Sequence, residues 1–345
     1  MKTSPSYING VFATSAGEVS KVSIRLTFPD LLGTVKVRWG INRSNYMVKP
    51  GLYAVGDPGS DSDVLVTANY KLSFDTLRKN LNGRNAWIMV LDTKGVNVWC
   101  AAGKGTFGTK ELVNRVGKVS LDKIIRHKRL ILPQLGAVGV SAHKVKEETG
   151  FTVMFGPVRA ADIPAFIESG YKATQEMRRV TFTLWDRMKL IPNDFFYGKY
   201  LLLGAFAVLF LLTGLDRSGY SIRQALDNGL WSGFNIFMGY VAGIVITPTL
   251  LPYIPVRRFA FKGLIAGIAV SFLLLAFHKL GDNWLEIISW FLLISAVSSF
   301  VAMNFTGSST YTSLSGVKKE MKIAVPVQIA LSAIGLILSV IGRIV

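Results

Sequence analysis

Hydrophobic and polar positions fall into two textures along the chain. In the first, short apolar runs alternate with amphipathic stretches. Residues 22–28 (Val-Ser-Ile-Arg-Leu-Thr-Phe) and 34–39 (Thr-Val-Lys-Val-Arg-Trp) alternate apolar and polar positions, the period-2 pattern of half-exposed strands. They predict a small β element within residues 1–50. The small, polar residues up to about position 20 predict a mobile arm.

From Gly51 onward, strands are expected at residues 52–55, 64–66, 87–91, 130–132 and 152–155. Helical periodicity falls at residues 70–81, 110–116, 121–127, 140–149 and 161–168. Strands alternating with helices predict an α/β domain over residues 51–192, built on a parallel sheet with helices on its faces. Ligands of such sheets bind beyond the carboxyl ends of the strands, so the segments after Val66, Leu91, Leu132 and Phe155 form the expected rim of one site.

The second texture begins after an amphipathic stretch at residues 180–190. Five apolar segments follow, at about 200–215, 230–251, 261–277, 284–303 and 323–341. Most approach the ~20 residues that a spanning helix requires, and the first is short. Together they predict an all-α membrane domain of five transmembrane helices over residues 193–345. Thr247-Pro248 marks an expected kink near the end of the second segment.

Charge sharpens this division. Through Gly198 there are 28 Lys and Arg against 16 Asp and Glu; beyond it, 11 against 5. Arg257, Arg258 and Lys262 follow the second segment, and Lys318, Lys319 and Lys322 follow the fourth. The other two loops carry Arg217 with Arg223, and Lys279 alone. The richer loops are expected inside, giving a multi-pass protein of the cell (inner) membrane with its N-terminal domain cytoplasmic and its C-terminus on the outer side. Met1 to Pro5 lack the apolar core of a signal peptide, which agrees. The pI near 10 raises nucleic acid as a partner, but the basic residues are scattered and no nucleic-acid motif accompanies them. Membrane lipid accounts for part of the bias. Glu286 is the one acidic residue within a span, near its start, so an ion pathway is not indicated.

Candidate chemistry concentrates after the strand at residues 87–91. Cys100 is the only cysteine, which excludes an intrachain disulfide and any cluster held by several cysteines. A small buried core residue is one reading of it. The other follows from its neighbours: a cysteine near a helix start, with Lys104 close by, is in a setting where thiols bind metal or attack electrophiles. His127, His143 and His278 show no partnership with it. Gly103, Gly105 and Gly108 match Gly-x-Gly-x-x-Gly, but residues 92–100 intervene between strand and glycines, too long for a dinucleotide turn. Nor is this a P-loop, since Val98 stands where its first glycine belongs.

Asn97-Val98-Trp99-Cys100-Ala101-Ala102-Gly103-Lys104 resembles the cap-helix signature of the mercury-methylating corrinoid proteins (the HgcA family), and is related to a motif in the corrinoid-binding domain of the corrinoid iron–sulfur protein of acetyl-CoA synthesis. The resemblance continues at residues 64–70 (Val-Leu-Val-Thr-Ala-Asn-Tyr), 132–137 (Leu-Pro-Gln-Leu-Gly-Ala), 156–164 (Gly-Pro-Val-Arg-Ala-Ala-Asp-Ile-Pro) and 304–308 (Asn-Phe-Thr-Gly-Ser). Five apolar C-terminal segments and the lack of a cysteine cluster favour the membrane-bound family.

The resemblance implies a Rossmann-like cytoplasmic domain that holds a cobalamin-type corrinoid, with the Cys100 thiolate as lower axial ligand of cobalt. It also implies a small ferredoxin-like iron–sulfur partner, HgcB, as reductant, a methyl donor of the methyltetrahydrofolate pathway, and mercuric ion as acceptor. Thr67, Asn69, Gln134 and Gly136 match the family's corrin-contacting segments; as residues alone, they read equally as loop and capping positions. The chemistry is coherent, because mercuric ion is an electrophile that needs methyl with its electron pair, and a soft thiolate trans to the cobalt–carbon bond donates strongly enough to favour that departure. The expectation is a corrinoid-dependent methyltransferase with Cys100 catalytic. A membrane-tethered methyl carrier for another acceptor in one-carbon metabolism is the alternative, and a nucleotide-binding membrane scaffold the reading from another class.

Overall fold

The computed structural model describes residues 5–305 and 314–344. The chain separates into two compact units, one comprising Met1–Val37 with Ile41–Val180, the other Arg38–Gly40 with Thr181–Val345.

The first unit is an α/β domain with a seven-stranded sheet. Its elements are β1 (Ile8–Thr14), β2 (Gly17–Val22), α1 (Phe28–Arg38), β3 (Gly51–Val55), β4 (Val64–Ala68), α2 (Lys71–Lys79), β5 (Ala86–Leu91), α3 (Val98–Lys104), α4 (Thr109–Lys118), α5 (Leu121–Ile124), β6 (Arg129–Leu132), α6 (Ala142–Thr149), β7 (Thr152–Phe155) and α7 (Ile163–Glu168). In space the strands run β1-β2-β3-β5-β4-β6-β7. Neighbours among β5, β4, β6 and β7 are parallel, whereas β3 is antiparallel to β5, and β1 to β2. The sheet is therefore mixed, not the purely parallel one expected. Strand direction leaves no trace in a buried apolar run, and the short 56–63 link lets the chain reverse from β3 into β4 two places away.

Buried side chains pack on both faces. Val64, Val66, Trp87, Met89 and Leu91 meet the layer of α3, α4, α5 and α6, while Leu65, Ile88, Val90 and Ile131 meet α2 and α7. The connection from β4 to β5 thus crosses one face, and that from β5 to β6 crosses the other. The connections that leave the adjacent strands β4 and β6 therefore run to opposite faces, and it is beyond the carboxyl ends of such a strand pair that open α/β sheets take ligands.

Two N-terminal expectations are corrected. Residues 8–22 form a hairpin, not a mobile arm, whose turn uses Gly17 at φ +117° and whose second strand pairs parallel with β3 (Ser20 opposite Tyr53). The two strands expected at 22–28 and 34–39 are replaced by a loop and the helix α1. Helix α1 is held by its inward residues. Asp30 and Val37 are buried, and the Asp30 carboxylate accepts hydrogen bonds from Thr27, Lys71 (2.6 Å) and Arg78 (2.8 Å). Expected helices at 121–127 and 140–149 are shorter, as α5 and α6.

The second unit is helical: α8 (Leu184–Met188), α9 (Ile191–Leu212), a two-stranded hairpin at Leu215–Asp216 and Gly219–Tyr220, α10 (Ile222–Val241), a π-helical turn (Ala242–Ile246) running into α11 (Thr247–Thr249), α12 (Phe259–Ala276), α13 (Trp284–Asn304) and α14 (Leu314–Ile344). Among the described residues, five helices are long and apolar enough to cross a membrane, matching in number the five segments expected. The first begins earlier than its apolar run, since Pro192 is tolerated in a helix's first turn. The π-helical turn lies just before Pro248, where a kink was expected because proline cannot donate to the helical ladder.

Helix α13 packs by close backbone approach. A Cβ added to Gly263 would come within 2.5 Å of the Ser298 carbonyl oxygen, and one on Gly243 within 2.6 Å of the same atom. Paired glycines four apart (Gly239 and Gly243; Gly263 and Gly267) face Ile294, Ser295 and Ser298, the small-residue packing that joins helices without a hydrophobic drive between them.

Candidate functional site

Helix α3 is short and defined at both ends. Asn97 is its N-cap, its side-chain oxygen accepting the Cys100 N–H at 2.9 Å. Gly105, at φ +80°, ends it in the left-handed conformation that glycine adopts without strain, and Thr106 N–H and Phe107 N–H return to the Ala101 carbonyl. Val98, Ala101 and Ala102 are buried inward, while Trp99 (41% exposed), Cys100, Gly103 and Lys104 face outward. The bland reading of Cys100 as a packed core residue is not what the geometry gives. Its helix is anchored by alanines, and the thiol stands on the open face.

The segment after β6 closes against this helix. Residues 134–136 form a single 3₁₀ turn, and Gly136 and Gly139 lie so near Phe107 and Ala102 that neither position has room for a side chain. A Cβ on Gly139 would stand 2.2 Å from the Phe107 carbonyl oxygen and 3.0 Å from Ala102 Cα, and one on Gly136 would enter the Phe107 ring. Thr109 N–H donates to the Gly139 carbonyl (3.2 Å) and Ser141 N–H to Thr109 Oγ1 (2.8 Å). Val138, 79% exposed, is thereby held beside α3, an apolar contribution that no sequence signal distinguished from an ordinary loop residue.

The residues expected on the rim separate into two kinds. Gln134 is half-buried, and its side-chain oxygen accepts from Arg178 Nη1 at 2.7 Å. Gly136 is buried against Phe107. Thr67 and Asn69 stand behind the rim at 4% and 1% exposure. The Asn69 side-chain oxygen Oδ1 accepts three hydrogen bonds, from Thr93 N–H (3.1 Å), Thr93 Oγ1 (2.8 Å) and Gly95 N–H (2.9 Å). It is the post around which the chain turns from β5 toward α3. Lys94 and Gly95 both have positive φ there, and Gly95 packs against the Ser44 carbonyl. Thr93 and Gly95 were missed from sequence, since their role depends on a carbonyl supplied by another strand.

Asn69→Ala leaves the Thr93 and Gly95 N–H groups buried without an acceptor, at about 1–3 kcal/mol for each. Hydrogen exchange at residues 93–97 is expected to accelerate well beyond that of β4 and β5, which peptide-resolved exchange would read directly.

Electrostatics at this end are mild. The Lys94 ammonium beside Asp92 holds its carboxyl below the usual range, the pair being at the surface. His127 lies at the opposite, amino end of β6, where its ring bonds the Ser62 carbonyl and the Arg129 N–H. Gly103 lies within α3 with its outer side open, Gly105 caps that helix, and Gly108 precedes α4. Among the described residues, no three His, Cys, Asp or Glu side chains are grouped to hold a metal ion. A single exposed thiol supplies one ligand, so a metal at Cys100 must arrive within a group that fills its other positions itself.

Comparison with known proteins bears on the same region. A family model for the CO dehydrogenase/acetyl-CoA synthase delta subunit matches residues 30–167, which begin in α1 and end in α7. The chain is similar to acetyl-CoA decarbonylase/synthase complex subunit gamma of Archaeoglobus fulgidus, 29% identical over 146 residues, or 41% of this chain and 31% of that protein. It is similar to the same subunit of Methanopyrus kandleri, 30% identical over 123 residues (35% and 26%), and of Methanosarcina acetivorans, 28% identical over 133 residues (37% and 28%). The chain spans about a third or less of the length of these relatives. Residues 304–308, the last stretch of the sequence resemblance, fall largely outside the described residues, which end at Phe305 and resume at Leu314.

Proposed function

We propose that this chain is a membrane-tethered, corrinoid-dependent methyltransferase. On this reading residues 51–192 are a Rossmann-like corrinoid domain on the cytoplasmic side, residues 193–345 span the membrane with the C-terminus outside, and the acceptor is mercuric ion. The observation that carries the reading is the stance of Cys100, a lone soft donor exposed on the first turn of a rigidly anchored helix at the carboxyl ends of the sheet.

The surroundings suit a large flat group. Open space outside Gly103 and the exposed faces of Trp99 and Val138 offer an apolar, low-relief surface around the thiol. When bound, a cobalt corrinoid supplies a methyl group for transfer. The residues of the chain do the rest. Asn97 fixes the first turn of α3, which sets where the thiol points. Cys100 is the side chain that would hold the metal of such a group, and its soft thiolate would supply the strong electron donation that transfer of methyl with its bonding pair to an electrophilic mercuric ion requires. Val98, Ala101 and Ala102 key the helix into the sheet, so that the donor cannot retreat. With one cysteine, the chain has no thiolate set for an iron–sulfur cluster of its own, so a reductant for such a group would be a partner, on this reading an iron–sulfur protein of the HgcB type.

The names of the relatives favour a second reading of the acceptor: a methyl carrier within one-carbon metabolism. Full-length protein in nanodiscs, loaded with cobalamin under reductant, separates these. Visible corrinoid bands that change on substitution of Cys100, with methylmercury formed from a methyltetrahydrofolate donor and mercuric salt, are expected. Absence of bound corrinoid defeats both readings, and corrinoid binding without methylmercury leaves the carrier reading.

A further inference from the structure

Helix α1 is amphipathic the wrong way round for a helix in water. Its inward face carries Asp30, locked to Arg78 and Lys71, together with Gly33 and Val37. Its outward face carries Phe28 (76% exposed), Leu31 (51%), Leu32 (41%) and Val35 (53%), and Trp39 (45%) just beyond its end continues the line. At 3.6 residues per turn these five project within an arc of about 100°. Lys36 and Arg38 fall on either side of that arc. From Arg25 to Lys49 the only acidic residue is the buried Asp30, while Arg25, Lys36, Arg38, Arg43 and Lys49 are basic. Hydrocarbon outside and basic residues along both margins describe a helix lying in the headgroup–acyl boundary of a bilayer.

Residues 38–40, at the end of the face, group with the helical unit. We propose that α1 is an in-plane anchor, its Phe28–Leu32–Val35–Trp39 face immersed in the lipid interface and its basic margins drawn to anionic headgroups. This rests on the membrane reading of the five apolar helices. A bilayer is the occupant the margins specify, since like charges flanking an apolar stripe match a surface of lipid phosphates.

The test uses the full chain in a Cys100→Ser background, spin-labelled at Leu32→Cys or Val35→Cys, in nanodiscs of phosphatidylcholine and phosphatidylglycerol. Labels at Leu203→Cys on the exposed face of α9 and at Lys146→Cys on α6, across the sheet from α1, serve as lipid and water references. Leu32 and Val35 are expected to show the Leu203 behaviour, with collisions by oxygen exceeding those by a water-soluble nickel complex, and the excess should fall when phosphatidylglycerol is omitted. Free access of the nickel complex, as at Lys146, overturns the proposal. So does exclusion of both reagents, which would mean that protein covers the face. A water-like signal at Leu203 itself defeats the membrane reading, whereas a lipid-like Leu203 with a water-like Leu32 defeats only the anchor.

Discussion

Cys100→Ala is expected to lower methyl transfer by roughly two orders of magnitude or more, equivalent to about 2.7 kcal/mol or more of barrier, while leaving the fold intact. The structural half follows from exposure: the thiol makes no core contact, and substitutions at such positions ordinarily change stability by no more than about 0.5 kcal/mol. The chemical half follows from the donor set. Alanine removes the thiol and offers no donor atom in its place, and no group of three or more His, Cys, Asp or Glu side chains is present among the described residues to hold a metal instead. On the proposed reading Cys100→His sharpens the comparison, because an imidazole could still ligate a metal but is a weaker electron donor than a thiolate. That variant is expected to retain bound corrinoid with altered visible bands and to lose methylmercury formation. Equal activity of wild type and both variants would remove Cys100 from the mechanism; equal spectra would remove it from the metal.

What could be read from residues alone depended on which solvent each face meets. The parallel strands β4 to β7 and the helices between them were legible, because apolar runs buried on both faces and amphipathic helices in water follow simple periodicities. Helix α3 was legible for a different reason, since the chain's one thiol lies between Asn97 and Lys104 in a stretch that resembles a known family motif. Helix α1 defeated the same rules. Val-Lys-Val-Arg-Trp reads as alternation only if one face is taken to be wet. In the structure Val37 points inward and Val35 outward, and the inward partner that holds the helix is a charge, Asp30. The direction of β3 and the duty of Asn69 were illegible because both are set by groups distant in sequence. Antiparallel pairing of Gly51 with Val90, and a carbonyl shared among three donors of another loop, have no local signature.

Arg78→Met is expected to destabilise the sheet domain by about 3–5 kcal/mol, the range for removing one partner of a buried charge network. Arg78 is 0% exposed. Its guanidinium reaches Asp30 and Asp75, each at 2.8 Å, and the carbonyls of Ser23 and Arg25, so one side chain ties α1, α2 and the loop after the hairpin. Methionine fills similar space but leaves two buried carboxylates facing Lys71 alone. Asp30→Asn combined with Arg78→Met restores charge balance with Lys71 and Asp75, and the double variant should lose less than the sum of the single losses. Acid acts in the same direction. Burial opposes ionisation of Asp30, but hydrogen bonds from Lys71 and Thr27 outweigh it and hold the carboxyl below its usual range. A depressed folded value means this stabilisation is complete above the unfolded carboxyl's pKa, near about 4, and drains away as pH falls below it. Because Asp30 is what turns α1 inward, both perturbations should appear first as accelerated hydrogen exchange across residues 28–38, ahead of β4 and β5. Loss of protection spread evenly over the sheet instead would show that the network stabilises the whole domain and does not specifically set the orientation of α1.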